Sequence, residues 1–87
     1  MKRLMKPVLM YTWTDEDGRI HPLRFQAELE PSVATTIRIG SVVLQETERI
    51  AGQHVINFRC LSLVENRERQ YDLCYELATC RWYLARW

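Results

Sequence analysis

The fold is decided by one alternating stretch of the chain, Leu23-Arg24-Phe25-Gln26-Ala27-Glu28-Leu29. Apolar residues occupy every second position, and charged or amide side chains stand between them. Because successive side chains of a β-strand point to opposite faces of the sheet, this period of two predicts a strand with one buried face. Two further stretches alternate in the same way, at residues 9–13 and at residues 71–77. Three such stretches in a chain of 87 residues predict an all-β protein.

A tight turn joins the first two stretches. The loop Glu16-Asp17-Gly18 lets its glycine adopt the left-handed conformation that a three-residue hairpin loop requires. The loop then sets three cross-strand pairs: Trp13 with His21, Tyr11 with Leu23, and Leu9 with Phe25. This pairing places both apolar sets on one face, so we expect these residues to line the core.

Two more hairpins are predicted towards the end of the chain. A turn centred on Asn66-Arg67 pairs Ile56 with Leu77, and a turn centred on Thr79-Cys80 pairs Leu77 with Trp82. A helix over residues 70–86 is the alternative, because apolar residues also recur there at helical spacing: Leu73, Leu77, Cys80, Leu84 and Trp87. The hairpin is favoured because the Tyr and Trp residues of this segment are typical of strands.

Together these elements predict an antiparallel meander of about six strands that forms a small SH3-like barrel or a strongly curled sheet. One of the six contains Ile37 and Ile39 and continues past a bend at Gly40. Closure into a barrel would remove exposed strand edges, and a sheet completed by a partner chain is the alternative. We expect a single small β domain over residues 1–87, with residues 1–6 a flexible basic N-terminus.

Composition narrows the functional classes. A net charge of +1 argues against strong non-specific binding of nucleic acid, which needs a surplus of Lys and Arg. The three cysteines lack the spacing of a disulfide framework, and neither a signal peptide nor an apolar run of membrane-spanning length is evident. We therefore expect a cytoplasmic protein with no membrane partner.

No catalytic, cofactor or metal site is predicted. The acidic turn at residues 15–18 lacks the spaced ligands of a calcium loop, and the His and Cys residues lack the paired spacing of a zinc site. Cys80 has a neighbouring cation in Arg81, but the sequence assigns it neither a base nor an oxyanion pocket. We therefore expect a protein that is not an enzyme and carries no cofactor.

The candidate interaction surface consists of Arg59, Arg81, Tyr83 and Trp87. Tyr83 and Trp87 are the rings expected to face outwards, and outward rings beside arginine are typical of the centre of a protein interface. The leading hypothesis is a non-catalytic protein-interaction module that binds a protein partner or self-associates into a homo-oligomer. The alternative is a small barrel that binds single-stranded nucleic acid weakly through Arg59, Arg81 and Tyr83.

The closing stretch has a pattern of its own: Tyr-x-Leu-x-Tyr at residues 71–75, a short turn, then Trp-x-Leu at residues 82–84. With the Asp-Glu-Asp-Gly turn and Pro22-Leu23-Arg24-Phe25, it resembles small uncharacterised bacterial β proteins. The resemblance covers under half of the chain and consists of packing motifs. It therefore implies a fold and supplies neither a function nor site residues.

Overall fold

The computed structural model describes residues 1–87, and every regular element in it is a β-strand. The eight strands in chain order are β1 (Arg3–Pro7), β2 (Leu9–Thr14), β3 (Ile20–Glu30), β4 (Val33–Arg38), β5 (Ser41–Ile50), β6 (Gln53–Val64), β7 (Arg67–Glu76) and β8 (Arg81–Arg86). The all-β prediction is confirmed, and residues 70–86 form a hairpin of β7 and β8 rather than a helix. No helix long and apolar enough to cross a membrane is present.

The strands form two antiparallel sheets. The larger sheet has the order β1-β8-β7-β6-β5, and the smaller has the order β2-β3-β4. The chain passes between the sheets at two corners, at Val8 and at Ile39-Gly40. At the second corner the Gly40 N–H donates to the carbonyl oxygen of Leu61 at 3.0 Å. A Cβ on Gly40 would lie only 2.8 Å from that oxygen, so the close approach requires a residue without a side chain.

The core lies between the two sheets. The smaller sheet contributes Phe25, Ala27 and Ile37, and the larger contributes Phe58, Cys60, Tyr71, Leu73, Trp82 and Leu84. The rings of Phe25 and Tyr71 meet across the core with their centroids 5.7 Å apart. Burial of these aromatic and aliphatic side chains supplies the main favourable term in folding.

The prediction of six strands in an SH3-like barrel or strongly curled sheet is wrong in its count and in its closure. There are eight strands, and β1 and β5 remain as free edges of the larger sheet. β1 (Arg3–Pro7), which pairs with β8, includes residues 3–6 of the segment 1–6 that was predicted as a flexible N-terminus. The chain on the two sides of Gly40, predicted as one bent strand, is divided between the two sheets. Alternation reports which face of a strand is buried and does not report the sheet in which the strand pairs.

The first hairpin follows the predicted turn and then departs from the predicted register. Gly18 has φ +81°, and Trp13 opposes His21 as expected. Beyond that pair, an extra residue in β3, Leu23, forms a bulge, so that Tyr11 opposes Arg24. The rings of Tyr11 and Trp13 are therefore about half exposed, at 47% and 51%, and their predicted place in the core is wrong. The same shift leaves Leu9 52% exposed.

The other two hairpins are shifted by two residues from the predicted register. Ile56 opposes Tyr75 rather than Leu77, and Tyr75 opposes Trp82. The β6–β7 turn consists of Glu65-Asn66, whose φ angles of 52° and 64° fit a two-residue hairpin turn of type I′. Because a shift of two preserves the faces of a strand, the predicted core residues of these strands keep the inner face. The exception is Leu77, which follows the end of β7 and is 45% exposed, so its predicted place in the core is wrong.

Candidate functional site

Arg59, the first residue of the predicted interaction surface, lies on β6 and forms an ion pair. Its Nε and Nη2 donate to the two carboxylate oxygens of Asp72 at 2.8 and 3.1 Å. This two-pronged bond holds the pKa of Arg59 above its ordinary value, and Arg86 approaches the same carboxylate at 4.0 Å. The charge of Arg59 is thus largely engaged within the sheet, which leaves less of it for an external anion.

Arg81 and Tyr83 lie on β8 and point away from the core, because they alternate with the buried Trp82. Arg81 is exposed and opposes Glu76 on β7, and Tyr83 is half-buried. The structure therefore places both residues on the same outer face as Arg59.

Trp87 lies on the other face of the sheet. Its ring packs against the Tyr71 ring at a centroid distance of 5.3 Å, and the guanidinium of Arg69 lies 4.0 Å from its centroid. Trp87 thus covers one end of the core, and the structure does not bring it together with Tyr83.

The free edge of β5 is the most exposed element of the fold. All ten residues of the strand are exposed, and it pairs only with β6. Its apolar residues Val42, Val43, Leu44 and Ile50 are 40–51% exposed. The opposite edge, β1, is five residues long, with a bulge at Met5 (φ 48°) and Pro7 at its end. Bulges and proline protect an edge from pairing, whereas a long edge strand with apolar side chains favours it. β5 has a bulge at Val43, but from Leu44 to Ile50 it pairs regularly with β6 and offers a regular edge of seven residues.

A groove of about 460 Å³ crosses the outer face of the larger sheet. Its β5 side carries Glu46 and Glu48, and its far side carries Arg3 and Arg86. The Asn57 side-chain amide donates to Oε1 of Glu48 within the groove. The groove is therefore acidic along β5 and basic along the opposite side.

The outer face of the smaller sheet carries a second cluster, which the sequence did not predict as a site. Tyr11, Arg24 and Arg38 lie directly opposite one another on β2, β3 and β4. The Arg24 guanidinium lies 4.4 Å from the centroid of the Tyr11 ring. These three residues line a groove of about 360 Å³ together with Gln26 and Thr36. The proline at position 22 was the available signal, because proline within a strand commonly marks a bulge.

Trp13 extends this outer face along β2. Its ring stacks on His21 with a centroid distance of 4.0 Å and an interplanar angle of 15°. Nε2 of His21 lies 2.9 Å from Oδ2 of Asp15, and Oδ1 of Asp15 accepts the backbone N–H groups of Asp17 and Arg19. These bonds, chiefly the one with His21, lower the pKa of Asp15. The Asp15 carboxylate therefore stabilises the β2–β3 hairpin through bonds within the turn.

The three cysteines form no disulfide bond with one another. Cys60 and Cys74 are buried, Cys80 is exposed, and all three are free thiols. Burial raises the pKa of Cys60 to about 12 and also raises the pKa of Cys74. No group of three or more His, Cys, Asp or Glu side chains is arranged to hold a metal ion.

Comparison with known proteins does not identify a function for any of these surfaces. No family model matches the chain, and neither the curated proteins nor the solved structures include a significant match. The resemblance of the closing hairpin to small bacterial β proteins therefore stays a prediction.

Proposed function

We propose that the protein is a non-catalytic protein-interaction module that binds an extended segment of a partner protein along β5. The observation that supports this proposal is the free edge of β5, a strand whose ten residues are all exposed and which pairs only with β6. An added strand would satisfy the unpaired N–H and C=O groups with the same main-chain hydrogen bonds that join β5 to β6. Strand addition of this kind takes affinity from the main chain and specificity from alternate side chains.

The side chains on the groove side of β5 define the chemistry of the partner. Leu44, Glu46, Glu48 and Ile50 share that face. A complementary strand carries Lys or Arg opposite the two glutamates and apolar residues opposite Leu44 and Ile50. The partner segment thus has the pattern apolar-x-basic-x-basic-x-apolar, which is the same in either chain direction.

A second copy of the protein fits this edge less well. Antiparallel pairing of two β5 strands about Glu46, Thr47 or Glu48 would set glutamates of the two copies directly opposite each other. Like charges in that position are destabilising. A different protein is therefore the partner proposed. We place the interaction in the cytoplasm, because three free thiols suit a reducing compartment.

The test uses two synthetic peptides, Val-Thr-Lys-Thr-Lys-Thr-Val and its counterpart with Glu in place of Lys. Amide hydrogen exchange of the protein is followed by NMR with each peptide. We expect the Lys peptide to slow exchange along β5 and the Glu peptide to leave exchange unchanged.

Two variants locate the effect. Leu44→Lys places a charge on the β5 edge and should abolish the protection. Leu63→Lys alters an apolar residue that is 77% exposed, beyond the part of β6 that pairs with β5, and should retain it. Equal binding of the two peptides, or protection confined to strands other than β5, would count against the proposal. Concentration-dependent sedimentation of the protein alone that Leu44→Lys abolishes would assign the same edge to a second copy and overturn the choice of partner.

A further inference from the structure

The outer face of the smaller sheet holds two arginines in an unfavourable arrangement. Arg24 on β3 and Arg38 on β4 are directly opposite neighbours, a placement in which like charges destabilise a sheet. The ion pairs of the protein involve Asp15 with His21, and Asp72 with Arg59 and Arg86. Neither Arg24 nor Arg38 has a carboxylate within 4.0 Å. The pair is thus a local positive charge without an internal counterion.

The acidic side chains of the same hairpins are engaged elsewhere. Glu28 follows Arg24 on the same face of β3, but its Oε1 accepts the backbone N–H of Ser32 at 3.1 Å in the β3–β4 turn. The Asp15 carboxylate is held at the β2–β3 turn by backbone N–H groups and by His21. Neither carboxylate therefore neutralises the arginines.

Two exposed aromatic rings on β2, Tyr11 and Trp13, lie beside the two arginines. Tyr11 is 47% exposed with Arg24 over its ring, and Trp13 is 51% exposed with His21 stacked on it. Tyr11 and Trp13 are two residues apart on one strand face, so their side chains are about 7 Å apart along the strand. Successive bases of a single strand stack on exposed rings spaced along a sheet in this manner.

The groove beside the arginines supplies polar groups. Gln26 and Thr36 line it with Tyr11, Arg24 and Arg38, and its volume is about 360 Å³. An amide and a hydroxyl can bond a base edge or a sugar hydroxyl, and paired guanidinium groups match the geometry of a phosphate.

We propose that this face binds single-stranded nucleic acid, with phosphates on Arg24 and Arg38 and bases stacked on Tyr11 and Trp13. This site is separate from the β5 edge and independent of the proposed function. It also differs from the surface predicted from the sequence, because Arg59, Arg81 and Tyr83 lie on the larger sheet. Two neutralised phosphates give a slope of about −1.4 for the logarithm of the affinity against the logarithm of salt concentration. Affinity should therefore fall about sevenfold between 50 and 200 mM salt.

The test is fluorescence anisotropy of labelled, mixed-sequence single-stranded RNA and DNA oligomers. Arg24→Gln and Arg38→Gln should each reduce the salt slope to about −0.7. Tyr11→Ala should weaken binding at least fivefold, since stacking of one base supplies an interaction of that size or larger. Arg67→Gln is the matched control, because Arg67 is exposed on the other sheet, and it should leave the affinity unchanged. Arg81→Gln tests the surface predicted from the sequence.

The folded state of the variants is checked by thermal unfolding. Arg38→Gln removes repulsion between like charges, so its Tm should equal or exceed that of the unaltered protein. Arg24→Gln also loses the contact with the Tyr11 ring, so its Tm should change little. Binding that Arg67→Gln or Arg81→Gln weakens as much as Arg24→Gln does would overturn the proposal. The proposal would also be overturned if no binding is seen at 50 mM salt. Competition by a mononucleotide that is as effective as competition by an unlabelled oligomer would overturn it as well. Leu44→Lys should leave oligomer binding intact, so failure of the β5 proposal is distinguishable from failure of this one.

Discussion

The hydroxyl oxygens of Ser62 and Tyr71 lie 2.6 Å apart on neighbouring strands, within the core between the two sheets. Ser62 is the one polar residue among the buried side chains, and its hydroxyl also lies 3.3 Å from the Gly40 N–H at the β4–β5 corner. Burial raises the pKa of the Tyr71 phenol, and the bond with Ser62 opposes this effect by a smaller amount. A single polar pair therefore links the corner of the fold to its aromatic core.

The effects on stability of removing the Ser62 and Tyr71 hydroxyls should not be additive. We expect Ser62→Ala to lower the free energy of unfolding by about 1–3 kcal/mol, because the Tyr71 hydroxyl is left buried without a partner. Tyr71→Phe should cost about 1 kcal/mol, and the double variant should cost less than the sum. Urea unfolding of the four proteins measures the coupling. Tyr83→Phe, a half-buried Tyr of the outer face, is the control and should change stability by at most about 0.5 kcal/mol. Strict additivity of the two substitutions would contradict the coupling.

Gly40→Ala should destabilise the protein through the β4–β5 corner. The added Cβ would lie 2.8 Å from the carbonyl oxygen of Leu61, which is a main-chain atom of β6 and cannot rotate away. Overpacking of this kind costs about 1–3 kcal/mol, and we expect a loss in that range by urea unfolding. Ser41→Ala, at the neighbouring exposed position, should change stability by at most about 0.5 kcal/mol. Equal stability of the Gly40→Ala variant and the unaltered protein would show that the corner can relax.

The alternation of apolar residues predicted the strands well because it reports burial directly. Phe58, Leu73 and Leu84 were assigned to one face and are buried there. A one-residue error in each turn position shifted the register by two and left these faces unchanged. Leu77 is the exception, because it follows the end of β7 and is exposed.

The candidate site was less predictable because it depends on a single inserted residue. The bulge at Leu23 reverses the face of β2 relative to β3, and it brings Tyr11 beside Arg24 on the outer surface. Pro22 signals a bulge in this strand, but local sequence does not specify which residue is inserted, because packing against the core selects it. Arg59 was predicted as free for the converse reason: its partner, Asp72, is thirteen residues away and becomes a neighbour only when β6 pairs with β7.

The three thiols should differ in their reactivity towards an aromatic disulfide reagent such as DTNB. Cys80 is exposed and should react at once in the native protein, whereas Cys60 and Cys74 are buried. Burial raises the pKa of both, so the reactive thiolate is scarce at neutral pH. We expect one fast equivalent in the native protein and three in urea. The variant Cys80→Ser should lose the fast equivalent, and rapid reaction of a second thiol would show that the core opens readily.

Acid should weaken the first hairpin through Asp15. The bond with His21 and the backbone N–H groups of Asp17 and Arg19 hold the pKa of Asp15 below its ordinary value of 3.8. A carboxyl whose folded pKa is lowered stabilises the protein above the unfolded value, and that contribution is lost as pH falls through the folded pKa. Asp15→Asn should therefore lower Tm at pH 6, and the difference should shrink as pH falls below 3.8. Asp17→Asn is the matched control, because the Asp17 carboxylate makes none of these bonds, and its effect on Tm should be smaller. Parallel Tm curves for Asp15→Asn and the unaltered protein across this pH range would exclude an ionised Asp15 as a source of hairpin stability.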